Sequence, residues 1–326
     1  MADKKIIAVV GATGSQGGGL VQAILNDPNG GFAVRAITRD VNTDKAKALA
    51  KQGAEVVQAD LDNEASLAKA FAGAYGVYGV TNYWQLFSVE KEQQQATNIA
   101  RAAKTANVKH VIWSTLEDTL KWIPLSEGTK RMPILQEKYR CPHFDSKGGI
   151  DHIFTDLGLP VTFLLTSFYW DNFYLFGMGP KKGSDGSYTL TFPIGKAKMA
   201  GIAAEDIGKA AYGIFKKGSE YIGKRVGIAG EFLTGEQMAE KSSKGLGAKV
   251  TYNAVTADTY RGFGFPGADD LGNMFQIYDE FEGPFSAVRS VEVTRSLAPS
   301  LMSFDQWLAK NKAKIVAAGE PAPAAS

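Results

Sequence analysis

A glycine-rich segment near the start of the chain has the spacing of a phosphate-binding turn. It reads Gly11-Ala12-Thr13-Gly14-Ser15-Gln16-Gly17 and lies between an apolar run and a helical pattern. In such a turn Gly11 permits a sharp bend, Gly14 lets a pyrophosphate approach the backbone, and Gly17 lets the helix pack closely on the strand. The free N–H groups and the dipole at the start of that helix favour an anion. A glycine turn without a ligand is the alternative, but the strand-to-helix context favours a phosphate site.

Arg39 follows the second apolar run, where a dinucleotide site meets the adenosine ribose. A site specific for NAD places an acidic residue there to bind the ribose hydroxyls. The planar guanidinium of Arg39 instead suits a 2′-phosphate, so the sequence favours NADP(H). Asp40 comes next and leaves NAD(H) open as a weaker ligand. An exposed Arg39 that pairs with Asp40 is the structural alternative.

Two further pairs of residues end the third and fourth predicted strands. Asp60 and Leu61 end the third, where folds of this kind commonly contact adenine, and Thr81 and Asn82 end the fourth. Ligands of an open parallel sheet lie beyond the carboxyl ends of its strands, so we expect Thr81 and Asn82 to face the ribose or the pyrophosphate. Each of the four residues has a plain alternative as a helix cap or a turn residue.

The candidate catalytic residues are Ser114, His143 and Lys147. The GxxGxxG spacing resembles the short-chain dehydrogenase superfamily, in which a serine after the fifth strand and a Tyr-x-x-x-Lys helix transfer protons. Ser114 ends the fifth predicted strand, and Lys147 occupies the lysine position. His143 stands where the tyrosine should be, on the same helical face as Lys147. Histidine can act as an acid or a base near neutral pH, and a helix-start residue with a satisfied ring is the alternative.

The order of elements predicts the sheet that positions these residues. Short apolar runs alternate with helical patterns, which is typical of a parallel sheet covered by helices on both faces. We predict an α/β fold with a doubly wound parallel-sheet Rossmann domain over residues 1–166. A smaller α+β C-terminal lobe follows over 167–318, with part of 201–228 returning to the first domain, and a flexible tail over 319–326. The predicted strands are Ile6–Val10, Ala33–Thr38, Glu55–Gln58, Val77–Val80, His110–Ser114 and Val161–Leu165.

Charge and cysteine content restrict the partners and the compartment. The 36 basic and 34 acidic residues leave a net charge of +2, too small to favour nucleic acid or anionic membrane. Cys141 is the single cysteine, so we expect a reducing compartment, the cytoplasm, with access to the nucleus if the cell is eukaryotic. No apolar run is long enough for a signal peptide or a membrane span. Cys141-x-His143 is too short a cluster for a metal site, and none is predicted.

Several segments together resemble the NmrA-like family of atypical short-chain dehydrogenases, from about Lys4 to Lys312. That resemblance implies an NADP(H)-binding protein that lacks the full catalytic set and reports redox state to a protein partner. It also implies that Thr13 and Gln16 join the phosphate loop, that Lys147 meets the nicotinamide ribose, and that Tyr169 with Asn172 covers the nicotinamide. A homodimer is compatible with the superfamily. The segments are Gly11–Gly19, Gly53–Gln58, Thr81–Trp84, His143–Gly148, Gly264–Ala268 and Asn273–Phe275.

Three functions compete at this stage. The leading hypothesis is a redox-sensing regulator in which bound NADP(H) changes a partner-binding surface. The second is an NADPH-dependent reductase of quinones, enals or phenylpropanoid-like molecules, with Lys147 sufficient for chemistry and the aromatic residues over Phe168–Tyr174 lining a flat pocket. Those rings also suit the core of the second lobe. The third is a nucleotide-sugar epimerase, which normally requires the tyrosine that His143 replaces.

Overall fold

The computed structural model describes residues 4–320, which form fourteen strands and fifteen α-helices. The strands are β1 (Lys5–Val9), β2 (Phe32–Thr38), β3 (Glu55–Gln58), β4 (Gly76–Gly79), β5 (His110–Thr115), β6 (Val161–Leu165), β7 (Phe168–Tyr169), β8 (Lys181–Lys182), β9 (Tyr188–Phe192), β10 (Met199–Ile202), β11 (Arg225–Ile228), β12 (Glu231–Leu233), β13 (Val250–Ala254) and β14 (Arg289–Ser290).

The helices fall into those that cover the first sheet and those that follow it. They are α1 (Ser15–Leu25), α2 (Asp44–Lys51), α3 (Glu64–Phe71), α4 (Tyr83–Leu86), α5 (Val89–Thr105), α6 (Pro142–Gly148), α7 (His152–Asp156), α8 (Asn172–Leu175), α9 (Ala204–Lys217), α10 (Gly235–Leu246), α11 (Ala257–Arg261), α12 (Ala268–Glu280), α13 (Glu282–Ala287), α14 (Val291–Leu297) and α15 (Phe304–Gly319).

The large sheet has eight parallel strands in the order β14-β11-β6-β5-β4-β1-β2-β3. The chain winds outward from β1 in one direction to β3, then crosses to β4 and continues the other way. This confirms the doubly wound α/β fold, and each of the six predicted strands lies within one residue of its expected position. The order reverses between β1 and β4, and the carboxyl ends of these two strands border the crevice in which such sheets bind ligands.

Both faces of this sheet are apolar because helices cover both. Ile7 and Val9 of β1 point into one core, and Ala8 points into the other. Helix α1 packs against α9 on the first face, while α3 and α5 pack together on the second. Strands buried on both faces read as continuous apolar runs, which is why the sequence located them so closely.

The C-terminal half contributes two strands to the large sheet and builds two small three-stranded sheets. Strand β11 pairs with β6, and β14 pairs with β11. The small sheets have the orders β12-β10-β7 and β13-β9-β8. Helix α15 extends to Gly319, so the first residue of the predicted tail is helical, and residues 321–326 lie outside the described part of the chain.

The aromatic residues of the second lobe form a core. Phe168, Trp170 and Phe173 are at most 3% exposed, and Trp170 packs against Phe304 and Trp307. The expectation that the whole cluster lines a flat substrate pocket is therefore wrong for these three rings, because burying large aromatic surface is their main stabilising contribution. Within residues 4–320 no helix combines the length and the apolar composition that a membrane span requires.

Candidate functional site

The glycine turn after β1 has the backbone geometry that an anion site requires. Gly11 has a φ of +63°, which favours glycine, and its carbonyl accepts a hydrogen bond from the N–H of Gly14 at 2.9 Å. A Cβ on Gly17 would lie 2.4 Å from the carbonyl oxygen of Gly11, so only glycine lets α1 approach the strand this closely. Gly14 precedes α1 and offers no side chain to cap it. The first N–H groups of α1 thus have no side-chain partner from the cap position.

This turn faces the end of β4 across the point where the strand order reverses. A Cβ on Gly11 would lie 3.3 Å from Cγ1 of Val80, the residue that follows β4. Thr13 is half-buried, and Ser15 is the exposed first residue of α1. The predicted phosphate loop and the polar end of β4 therefore border the same crevice.

The carboxamide of Gln16 connects the phosphate loop to three other elements. Its Oε1 accepts hydrogen bonds from Ser114 Oγ, at 2.8 Å, and from the hydroxyl of Tyr78. Its Nε2 donates to the hydroxyl of Tyr169. Burial raises the pKa of Tyr169 to about 12, so this phenol stays protonated near neutral pH. Gln16, Ser114 and Tyr169 were predicted from the sequence, whereas Tyr78 was hidden within an apolar strand.

Lys147 lies at the other side of the crevice, and all three of its ammonium hydrogens have an acceptor. Nζ lies 2.8 Å from Thr81 Oγ1, 3.1 Å from the Thr81 carbonyl oxygen and 2.8 Å from Glu92 Oε1. The side chains of Lys147 and Glu92 are 11% and 0% exposed. Ser146 donates to the other carboxylate oxygen of Glu92. This buried ion pair holds Lys147 against the end of β4 and keeps its charge in place.

The sequence contains a signal for Glu92 that we did not use. Helix α5 buries Val89, Glu92, Ala96 and Ile99 at helical spacing, so a carboxylate stands in an otherwise apolar stripe. A charged residue on a buried stripe needs a partner of opposite charge. Lys147 is that partner.

His143 is attached to the C-terminal half of the chain through Asp270 of α12. Its Nδ1 lies 2.8 Å from Asp270 Oδ1, and its backbone N–H donates to Asp270 Oδ2 at 3.1 Å. The imidazole also packs against Trp84 with a centroid distance of 4.8 Å. Cys141 Sγ donates to Asp270 Oδ1, and burial together with the Asp270 charge raises the pKa of this thiol. Cys141 is therefore a buried thiol and not a nucleophile.

These residues also bear on the prediction that the chain has no metal site. One ligand atom each from Cys141, His143 and Asp270 lies within 4.8 Å of the others. The sequence offered only the first two, because Asp270 is 127 residues away from His143. Hydrogen bonds among the three side chains account for the arrangement, and the absence of a metal stays a prediction.

The predicted adenosine end of the site is open to solvent. Arg39 and Asp40 are exposed, and along residues 4–320 neither takes part in an ion pair. The alternative in which they pair with each other is therefore not observed. Hydrogen bonds from Gln95 and Lys91 lower the pKa of Asp62, and the charge of Arg39 adds to this effect, which places Arg39 near the end of β3.

The other predicted contacts have local roles as well as a position near the crevice. Asp60 Oδ1 accepts from the N–H of Asp62, and the Leu61 carbonyl accepts from Asn98 at 2.7 Å. Asn82 is exposed and precedes α4, while Asn172 is half-buried and begins α8. Turn and cap geometry thus accompanies the expected placement at the strand ends.

The strand order and the glycine turn define a Rossmann-type domain with a dinucleotide-type crevice. The chain belongs to the NmrA-like family, whose model matches residues 3–308, and the predicted resemblance is confirmed. The NmrA-like family domain-containing oxidoreductase malD of Malbranchea aurantiaca is 30% identical over 258 residues, which cover 76% of this chain and 75% of malD.

Solved structures with lower identity share the fold. The negative transcriptional regulator Nmra in complex with NADP is 23% identical, with a TM-score of 0.76, over 94% of this chain and 95% of that one. Nmra has also been crystallised with NAD, again at 23% identity, with a TM-score of 0.77 over the same shares of the two chains. The Citrobacter sp. triphenylmethane reductase complexed with NADP(H) is 22% identical, with a TM-score of 0.72, over 94% of this chain and 99% of that one.

Proposed function

We propose that this chain binds NADP(H) in the crevice between β1 and β4 and acts as a redox-sensing regulator. The observation that carries the proposal is the uncapped start of α1 behind the glycine turn, placed where the strand order reverses. Helices α2, α3 and α5 are capped by the side chains of Thr43, Asn63 and Ser88, whereas α1 begins after Gly14. Free N–H groups in that position bind phosphate oxygens.

The residues present fit a nicotinamide dinucleotide. The turn from Gly11 to Gly17 would hold the pyrophosphate, and the exposed guanidinium of Arg39 would bind the 2′-phosphate. Lys147, Tyr169 and Asn172 would surround the nicotinamide end. When bound, the nicotinamide supplies or accepts a hydride. NADP(H) is the proposed ligand, with NAD(H) binding more weakly.

The state of the proton-transfer residues favours regulation over turnover. His143 replaces the usual phenol, and its Nδ1 is held by Asp270. The three hydrogens of Lys147 are donated to Thr81 and Glu92. A carbonyl reduction needs a proton donor beside the hydride, and neither residue is free to act as one without breaking these bonds.

The same contacts connect the crevice to the C-terminal half of the chain. Gln16 reaches Tyr169 of β7, and His143 reaches Asp270 of α12. A nucleotide with different affinity for two arrangements of these contacts would shift the balance between them. We infer a protein partner that distinguishes the two arrangements, and a cytoplasmic location in which Cys141 remains a thiol. A homodimer is the expected assembly.

Calorimetric titration of the full chain with NADPH, NADP⁺ and NADH tests the proposal. We expect one site that prefers the phosphorylated nucleotides, and Arg39→Ser should weaken NADPH binding about tenfold or more while it leaves NADH unchanged. Arg101→Ser, a change at another exposed arginine, is the matched control. Failure to bind either nucleotide would refute the site. Steady NADPH oxidation with carbonyls or quinones would refute the regulatory role.

An NADPH-dependent reductase is the second candidate, because the relative that is 30% identical is named an oxidoreductase. In that case Lys147 or His143, with Ser114 nearby, would have to supply the proton. Lys147→Met should abolish any turnover found in the screen while the protein remains folded. Turnover that survives this change would exclude Lys147 as the proton source.

A further inference from the structure

A separate cavity of about 300 Å³ lies between α4, the segment before α6 and the start of α12. Its walls include Tyr83, Phe87, Gln136, Pro142, Gly267 and Asp269. It shares no lining residue with the glycine turn or with the contacts of Lys147. A volume of this size is at the lower end of the range for pockets that bind small molecules.

Aromatic rings form one wall of this cavity. The centroids of Tyr83 and Phe87 lie 5.9 Å apart, and Trp84 packs edge-on against both, at 5.4 Å and 5.9 Å. Phe87 is 45% exposed, which is unusual for a ring that could have been buried. The faces of such rings carry partial negative charge and attract cations.

Carboxylates form the opposite side. Asp270 is buried and already bound to His143 and Cys141, whereas Asp269 is exposed and, across residues 4–320, belongs to no ion pair. Burial, together with the charges of Asp270 and Asp269, raises the pKa of Tyr83, so the field of both carboxylates reaches the aromatic wall. The nearby ammonium of Lys138 is taken by Glu90 at 3.1 Å.

The backbone around the cavity is strained. Four non-glycine residues of the described chain have positive φ, and three of them border this cavity: Phe87 at 47°, Gln136 at 47° and Glu137 at 62°. Such conformations cost free energy and tend to persist at binding sites. Gln136 Nε2 donates to the Tyr83 hydroxyl at 2.8 Å, and this bond fixes the two strained segments to each other. The walls are therefore held in place before any ligand arrives.

We propose that this cavity, which we call the α4–α12 pocket, binds a small organic cation, a substituted ammonium ion with an apolar or aromatic body. The rings of Tyr83 and Phe87 would contact the charged head, and Asp269 at the mouth would neutralise it. The pocket is too small for a folded partner, and its one carboxylate without an ion-pair partner matches a single positive charge. This site is independent of the nucleotide crevice.

The test uses benzyltrimethylammonium as the probe and benzyl alcohol as its neutral counterpart, each titrated by calorimetry into the full chain without nucleotide. We expect the cation to bind at one site and the alcohol to bind at least tenfold more weakly. Asp269→Asn keeps the acceptor for the Asp270 N–H, so it should fold normally, yet it should weaken the cation about threefold to fivefold. Phe87→Leu should cause a similar loss.

Asp44→Asn is the matched control, because Asp44 is also an exposed acid in the first turn of a helix. It should leave the affinity unchanged. Equal binding of the alcohol and the cation, or an unaltered affinity in Asp269→Asn, would overturn the proposal. So would binding of an Ala-Lys-Ala peptide without binding of the small cation, because the occupant would then be a side chain of a partner. Because no nucleotide is present, the result does not depend on whether NADP(H) binds.

Discussion

The Nδ1 atom of His143 lies 2.8 Å from Oδ1 of Asp270, although 127 residues separate them in the chain. This bond joins α6, which carries Lys147, to the start of α12 in the C-terminal half. Asp270 also accepts from the His143 backbone N–H and from the Cys141 thiol, so one buried carboxylate serves three donors.

Replacing Asp270 should therefore cost much more stability than replacing its neighbour. Asp270→Ala leaves the imidazole, the thiol and a backbone N–H of α6 without an acceptor, and we expect a loss of about 2–4 kcal/mol in the free energy of unfolding. Urea unfolding monitored by circular dichroism measures it. Asp269→Ala, a change at an exposed position, should cost less than about 1 kcal/mol. Similar losses in both variants would mean that the bond contributes little.

The buried pair of Lys147 and Glu92 predicts strong non-additivity. Either Glu92→Gln or Lys147→Met alone leaves a buried group without its counter-charge and should cost about 3–5 kcal/mol. The double variant removes both charges and should be more stable than the sum of the two losses predicts. Glu90→Gln, on the same helix but exposed, should cost under about 1 kcal/mol. Additive losses would contradict the pairing.

His110 predicts a stability loss in mild acid. Burial lowers its pKa to about 4 from 6.5, because Nε2 bonds Thr162 while Nδ1 has no partner among the described residues. The unfolded chain therefore binds a proton that the folded chain refuses, so this contribution is complete above pH 6.5 and is lost as the pH falls towards 4. The loss approaches about 3 kcal/mol.

A variant isolates that effect from other titrations, such as that of Asp145, whose burial raises its pKa to about 6 and acts in the opposite direction. His110→Gln cannot be protonated, so its stability should fall less than that of the parent chain between pH 7 and pH 4. Chemical unfolding across this range measures the difference. His152→Gln, at an exposed histidine, should follow the parent chain. Parallel curves for all three proteins would contradict the assignment.

Gln16 predicts a loss that a second change recovers. Gln16→Leu leaves the buried hydroxyls of Tyr78 and Ser114 without an acceptor and should cost about 1–3 kcal/mol. Tyr78→Phe in the Gln16→Leu background removes one of these orphaned groups, so the double variant should be the more stable of the two. Thermal and urea unfolding decide it. A further loss in the double variant would show that Tyr78 has another acceptor.

The sequence predicted those parts of the fold and the site that depend on local patterns. Apolar runs located the six strands, and the glycine spacing located the turn at the start of α1. Glu92, Tyr78 and Asp270 were missed because their roles depend on contacts between residues 55 to 127 positions apart. A buried tyrosine in a strand and an acid in the first turn of a helix each have an ordinary explanation. Only the fold brings them to the crevice and to His143.

Helix α6 has seven residues, which corresponds to a length of about 10 Å. Pro142 at its first turn lines the α4–α12 pocket, and Lys147 near its last turn lies against Thr81. A helix of two turns does not bend between its ends, so an ångström of movement at Pro142 is transmitted to the ammonium group. Two ligands that bind about one helix length apart would thus alter each other's affinity by the same factor in both directions.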